Sequence, residues 1–190
     1  MELAKQEIRR GAVIMPFSKN VFTTADIEAL PEGVRAELIN GEMFMMASPT
    51  RTHQKLLMEI TVKIYNHIAS KKGKCEVYAA PFAVYLHNDD KTYVEPDVIV
   101  VCNADKLDEK GCHGAPDFVV EIVSPGSYKM DEILKLAEYR KAGVREYWIV
   151  DAERQQVKVY CFEGEEIVQE YSFEEEIPVG IFEDMKVKLG

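Results

Sequence analysis

Tyr93-Val94-Glu95-Pro96-Asp97-Val98-Ile99-Val100-Val101 and Ala115-Pro116-Asp117-Phe118-Val119-Val120-Glu121-Ile122-Val123-Ser124-Pro125-Gly126-Ser127 decide how this chain folds. Stretches as apolar as Val98–Val101 and Phe118–Val123 read as strands covered on both faces. Each run carries one acid that its surroundings do not explain. Asp97 opens the first after Pro96, and Glu121 lies within the second between Val120 and Ile122. A carboxylate in such a place is costly unless it is paired or binds a metal. That cost makes Glu121 the most informative residue in the chain.

Reading outward, Asn103 to Ala115 is polar with two glycines and predicts a surface loop. A helix is predicted from about Tyr128 to Ala142, ended by Gly143, with Ile133, Leu136 and Ala137 as its apolar contacts. Arg145 to Val150 reads as the next strand, so strand, helix and strand form one βαβ unit. Upstream, Thr23-Thr24-Ala25-Asp26 has capping-box spacing and predicts a short helix. Asn40-Gly41 between Arg35–Ile39 and Glu42–Met46 is a hairpin signal. From Thr52 to Lys72 the period becomes helical, with Leu57, Ile60, Ile64 and Ile68 in one stripe and Gly73 as the stop. Glu76 to Ala80 and Phe82 to Leu86 read as strands split at Pro81. The tail alternates strands and turns: Val157 to Phe162, Ile167 to Phe173, and a piece near Lys186 to Leu189. With no repeat or linker in view, residues 1–190 read as one α/β or α+β domain.

No apolar run approaches the roughly 18 residues of a membrane span. Residues Met1 to Glu7 lack the apolar core of a signal peptide, which predicts a cytosolic protein without membrane attachment. Cys75, Cys102, Cys112 and Cys161 form no C-x-x-C pair and are expected as free thiols. A formal charge of −10 argues against gripping nucleic acid over the whole surface, but leaves a local basic groove open.

If the two acid-bearing strands are neighbours, Asp97 and Glu121 converge on one hard cation. The carbonyl of Ile122 completes the protein share, and Glu37 on the hairpin is a third acid acting through a water. Asp131, Lys135 and Tyr139 recur at i, i+4 and i+8 along one helical face, so Lys135 reaches back over the strand end. Carboxylates holding Mg2+ or Mn2+ beside an ammonium suit phosphodiester hydrolysis. Pro116-Asp117 is too near Glu121 on one strand to form the main pair, being about 13 Å away by strand rise.

These residues carry a resemblance. Pro96-Asp97, Glu121-Ile122-Val123, Ser124-Pro125, Asp131…Lys135-Leu136 and Gly143 to Asp151 resemble the Uma2 family of endonuclease-like proteins. That family is also described as a domain of unknown function within the PD-(D/E)xK nuclease superfamily. Glu37-Leu38-Ile39-Asn40-Gly41-Glu42 and Ser48-Pro49…His53 extend the match over nearly the whole chain. The resemblance implies a restriction-endonuclease-like core, with a central mixed sheet flanked by helices. It implies Asp97 and Glu121 as metal ligands and Glu37 as helper acid. The position two after Glu121 is Val123 rather than lysine, so Lys135 takes the lysine's role.

Plainer roles exist for each residue. Asp97 can cap a strand end, Glu121 can pair with Lys135 or Arg145, and Glu37 can face solvent. His53 reads as a residue at the edge of a site, and Tyr147 and Trp148 as core. Two functions follow: an endonuclease acting on DNA, expected as a homodimer joined through the tail strands, or an inactive nuclease-fold module binding nucleic acid or a protein partner. The four residues Glu37, Asp97, Glu121 and Lys135 are expected in one cleft, with Lys135 a helix-surface residue whose loss leaves the fold intact.

Overall fold

The computed structural model describes residues 21–87, 89–124, 130–164 and 167–190. The described part of the chain opens with α1 (Thr24–Glu28), capped by Thr23 and Asp26 in a capping box. β1 (Ala36–Ile39) and β2 (Glu42–Met45) follow as a hairpin. Its two-residue loop places both Asn40 and Gly41 at positive φ, as the Asn-Gly signal predicts.

Helix α2 spans Arg51–Lys71 and buries Leu56, Leu57, Ile60, Ile64 and Ile68. Thr50 caps it, accepting the His53 backbone N–H at 3.2 Å. The left-handed residue that ends it is Lys72, and the N–H of Gly73 closes back on Ile68.

β3 (Glu76–Ala79), β4 (Val84–Tyr85), β5 (Tyr93–Val94) and β6 (Val98–Val101) come next. Pro81 does more than split a strand, because β3 and β4 belong to different sheets. The expected loop from Asn103 to Ala115 is instead a short 3-10 turn (Ala104–Lys106) and a hairpin of β7 (Leu107–Asp108) and β8 (Gly111–His113). Cys112 is fully buried there, and β8 runs parallel to β4. Gly111 makes this possible: its φ is +151°, and a Cβ would meet the Ala83 carbonyl oxygen at 2.3 Å.

β9 (Phe118–Val123) leads to a π-helical turn (Met130–Lys135), α3 (Leu136–Ala142) and β10 (Glu146–Asp151). The expected start of that helix near Tyr128, with the Pro125-Gly126-Ser127 turn, lies outside the described residues. β9 and β10 are parallel neighbours, as a βαβ unit requires. β11 (Gln156–Cys161), β12 (Ile167–Ser172), β13 (Ile177–Pro178) and β14 (Lys186–Val187) complete the chain.

One sheet has the order β2-β1-β5-β4-β8-β7 and the other β12-β11-β10-β9-β6-β3. Alternation along β6, β9 and β10 divides the second sheet's side chains between two cores. Val98, Val100, Phe118, Val120, Trp148 and Val150 pack with the α2 stripe. Ile99, Val101, Val119, Val123, Tyr147 and Ile149 pack with Tyr139 and residues of the first sheet. This double coverage explains why the deciding runs are apolar on both faces rather than on alternate positions. By parity, Glu121 faces the α3 side.

Two expectations change here. Ile133 is 62% exposed, and the buried face of the π turn and α3 is made by Asp131, Lys135, Glu138 and Tyr139. Cys75 and Cys102 are joined in a disulfide, while Cys112 and Cys161 are free. The β3–β6 register explains the bond: Glu76 pairs with Val101, so the next residues outward on each strand oppose one another.

Candidate active site at the end of the central strands

The register of β6 with β9 pairs Val98 with Val120 and Ile99 with Val119. Continued by one position, it sets Asp97 opposite Glu121 at the end of the strand pair. Side chains so placed are neighbours across the strand pair.

Glu121 is buried. Its Oε1 accepts from Lys135 Nζ at 3.0 Å and from the Tyr139 hydroxyl at 2.7 Å. Lys135 Nζ also donates to Glu37 Oε1 at 2.9 Å, lies 2.7 Å from Glu37 Oε2, and is 3.5 Å from Asp131 Oδ1. Glu37, which a solvent-facing hairpin would expose, is 2% exposed. Its Oε1 accepts the Glu95 backbone N–H at 2.9 Å. Glu95 is held in turn by Arg35 Nε at 2.7 Å and the Tyr93 hydroxyl at 2.7 Å.

Asp97 is held separately. Its Oδ2 accepts the Ile122 backbone N–H at 2.7 Å and lies 3.1 Å from His53 Nε2. The four predicted residues therefore meet unevenly: Glu37, Glu121 and Lys135 touch, while Asp97 lies beside Glu121 without contacting Lys135. Glu37, Glu121, Asp131 and Lys135 are buried rather than lining an open cleft. Asp97 and His53 are its more exposed members, at 14% and 20%.

One ammonium thus serves three buried carboxylates. Burial pushes the pKa of Glu121 well above the usual carboxylate range; the Lys135 charge opposes that shift, and Asp131, Glu37 and Asp97 add to it. Burial alone would lower Lys135, but Glu121, Glu37 and Asp131 overcome it and raise the pKa well above the ordinary lysine value. Lys135 is accordingly a fixed cation. Burial and the charge of Glu121 likewise raise the Tyr139 hydroxyl, which stays a donor.

Among the described residues, no group of three or more His, Cys, Asp or Glu side chains is arranged to hold a metal. The candidate donor set is smaller: the carboxylates of Asp97 and Glu121 and the carbonyl of Ile122. These are hard oxygen donors, and few protein ligands plus waters suit Mg2+. The set fits such an ion by chemistry.

A family model described as "Putative restriction endonuclease", that of Uma2, matches residues 24–187. The chain belongs to the Uma2 family. Its fold is similar to a crystal structure described as a putative nuclease belonging to DUF820, from Anabaena variabilis. The TM-score is 0.70 at 20% identity, covering 88% of this chain and 94% of that one. This likeness establishes a restriction-endonuclease-like fold. No curated protein matches the chain.

Two contributors escape a reading of residue types. Tyr139 was placed on the right face with no role, although its spacing of four from Lys135 was the available signal. Glu95 acts on Glu37 through its backbone N–H, which no sequence pattern marks. Among the described residues, no helix is long and apolar enough to cross a membrane.

Proposed function

We propose that this chain, read as one domain over residues 1–190, is a divalent-metal-dependent endonuclease that hydrolyses DNA phosphodiester bonds. The observation that carries this reading is the meeting of Glu37, Glu121 and Lys135 where Asp97 is set opposite Glu121. Asp97, Glu121 and the Ile122 carbonyl would hold Mg2+ or Mn2+. Such an ion, when bound, offsets charge on the phosphate and lowers the pKa of water. Lys135 keeps its proton at Nζ, so it acts as donor and positive charge: it orients the attacking water and stabilises charge developing on phosphate oxygens. Glu37 holds that ammonium in place, and Tyr139 holds Glu121.

The test is Mn2+ titration with cleavage of supercoiled plasmid, for the wild type and Asp97→Asn. Binding and nicking by the wild type, both lost in D97N, are expected. A wild type that neither binds the ion nor cuts overturns the reading. One observation favours the second reading, an inactive module that binds nucleic acid or a protein: Lys135 is already surrounded by three carboxylates. That reading predicts a DNA or protein complex with no cleavage at any Mn2+ concentration.

A homodimer belongs to the same proposal. β12 ends its sheet and exposes Ile167 and Val168, at 51% and 52%. An uncovered apolar edge suits pairing with a second copy, and a two-fold assembly sets one site on each strand of a duplex. Sedimentation showing only monomer at micromolar concentration removes this claim.

A further inference from the structure

Asp97 is held from two elements at once. Ile122 of β9 gives its backbone N–H to Oδ2, and His53 of α2 brings Nε2 to the same oxygen. The Thr50 cap fixes the backbone of His53 in the first helical turn. His53 Nδ1 is shielded from solvent and has no hydrogen-bond partner among the described residues. Of the two neutral tautomers, only the one with its proton on Nε2 donates to Asp97, and it leaves Nδ1 as the unpartnered acceptor.

We propose that His53 is a positioning residue for Asp97: by holding Oδ2 together with the Ile122 N–H, it directs Oδ1 to a hard divalent cation. This rests on the reading of Asp97 as a metal ligand. Two donors on one carboxylate oxygen fix the plane of the carboxylate, so the other oxygen has a defined direction. A backbone N–H alone leaves the carboxylate free to turn about its terminal bond, where the torsional preference is broad. Partners of this kind orient metal ligands and make the ligand set selective.

The side-chain amides of glutamine and asparagine separate this role from mere packing. A glutamine amide nitrogen lies as many bonds from the backbone as Nε2, so it can reach Asp97. An asparagine nitrogen matches Nδ1 and cannot. The experiment is calorimetric titration of Mn2+ into the wild type, His53→Gln, His53→Asn, His53→Ala and Asp97→Asn, with a thermal melt of each without metal. H53N and H53A are expected to weaken Mn2+ binding by about 10–100-fold, and H53Q to stay near the wild type. Should H53A fail to fold, the H53Q and H53N pair decides, since a packing role lowers the melting temperature of both without separating their affinities. H53N or H53A binding as tightly as the wild type, while D97N loses binding, overturns the role of His53 alone. D97N binding as tightly as the wild type overturns the reading of Asp97 and this inference with it.

Discussion

Lys135 Nζ lies 2.7 Å from Glu37 Oε2, joining the π turn before α3 to β1 across 98 positions. The contact is buried, with side chains 4% and 2% exposed. A lone ammonium there would be costly, and so would each of the carboxylates around it. The cost is reduced because Lys135 Nζ lies within 3.5 Å of all three carboxylates. The cluster therefore holds four segments in one place: β1, β9, the π turn and α3.

Lys135→Ala is the first consequence. The residue is not on the helix surface, so its loss leaves Glu37, Glu121 and Asp131 facing one another in a buried space. Removing one partner of a buried ion pair costs about 3–5 kcal/mol. Urea unfolding of K135A is expected to show a loss of that order, and a midpoint equal to the wild type's contradicts it. Where K135A still folds, cleavage is expected to fall by about 10²–10³, and equal rates retire the lysine's role.

Tyr139→Phe removes one hydroxyl and little volume. Glu121 Oε1 then keeps Lys135 and loses a 2.7 Å donor. A buried acceptor deprived of one donor costs about 1–3 kcal/mol. The double variant Y139F/K135A is expected to be non-additive, because both residues act on the same oxygen. Strict additivity in urea melts would show that the two act independently of Glu121.

Legibility in the sequence followed from where the apolar pattern was the governing force. β6, β9 and β10 are covered on both faces, so their apolar runs announced them, and Glu121 stood out against them. Asn40-Gly41 and the α2 stripe were equally plain, since a positive φ and a helical repeat leave local marks. The same logic failed on the π turn and α3. There the buried side chains are Asp131, Lys135, Glu138 and Tyr139, while Ile133 and Leu134 face outward. Apolar spacing marks the inward face only when the surface it meets is apolar, and this one meets a charged cluster. β8 was hidden because its burial rests on Gly111 and Cys112 within a polar stretch. The bond between Cys75 and Cys102 needed a strand register, which sequence spacing does not supply.

That bond gives a third prediction. The disulfide spans 27 positions and ties β3 at the sheet edge to β6, the strand that follows Asp97. In the chain-entropy model a loop of that size contributes about 3.5 kcal/mol at 25 °C. Reduction, or Cys75→Ser, is expected to lower the unfolding midpoint accordingly, with Cys112 and Cys161 alkylating without reductant once the chain is denatured. Equal midpoints with and without reductant contradict it. Disulfides persist in oxidising surroundings, so the oxidised fraction is to be measured by mass after rapid alkylation.

The last prediction concerns Glu146, buried at the start of β10. Its Oε1 accepts from Trp148 Nε1 at 2.6 Å and its Oε2 from the Ile181 N–H at 3.0 Å, fastening the tail to the sheet. Burial raises its pKa to about 7, outweighing these hydrogen bonds and Arg145, which favour the charged form. The folded value thus exceeds the ordinary 4.5. The folded state binds the proton more tightly than the unfolded one, so this contribution is full below about pH 4.5 and is lost as pH rises through about 7. The loss is on the order of 3 kcal/mol. Glu146→Gln stays neutral at every pH and lacks this slope. Its amide nitrogen sets a donor against an N–H that now donates to Glu146, which costs about 1–3 kcal/mol at low pH. Urea melts at intervals from pH 5 to 8 are therefore expected to show the wild type more stable than E146Q at pH 5, with the gap narrowing as pH rises. Parallel curves across that range would show that Glu146 does not change its charge there.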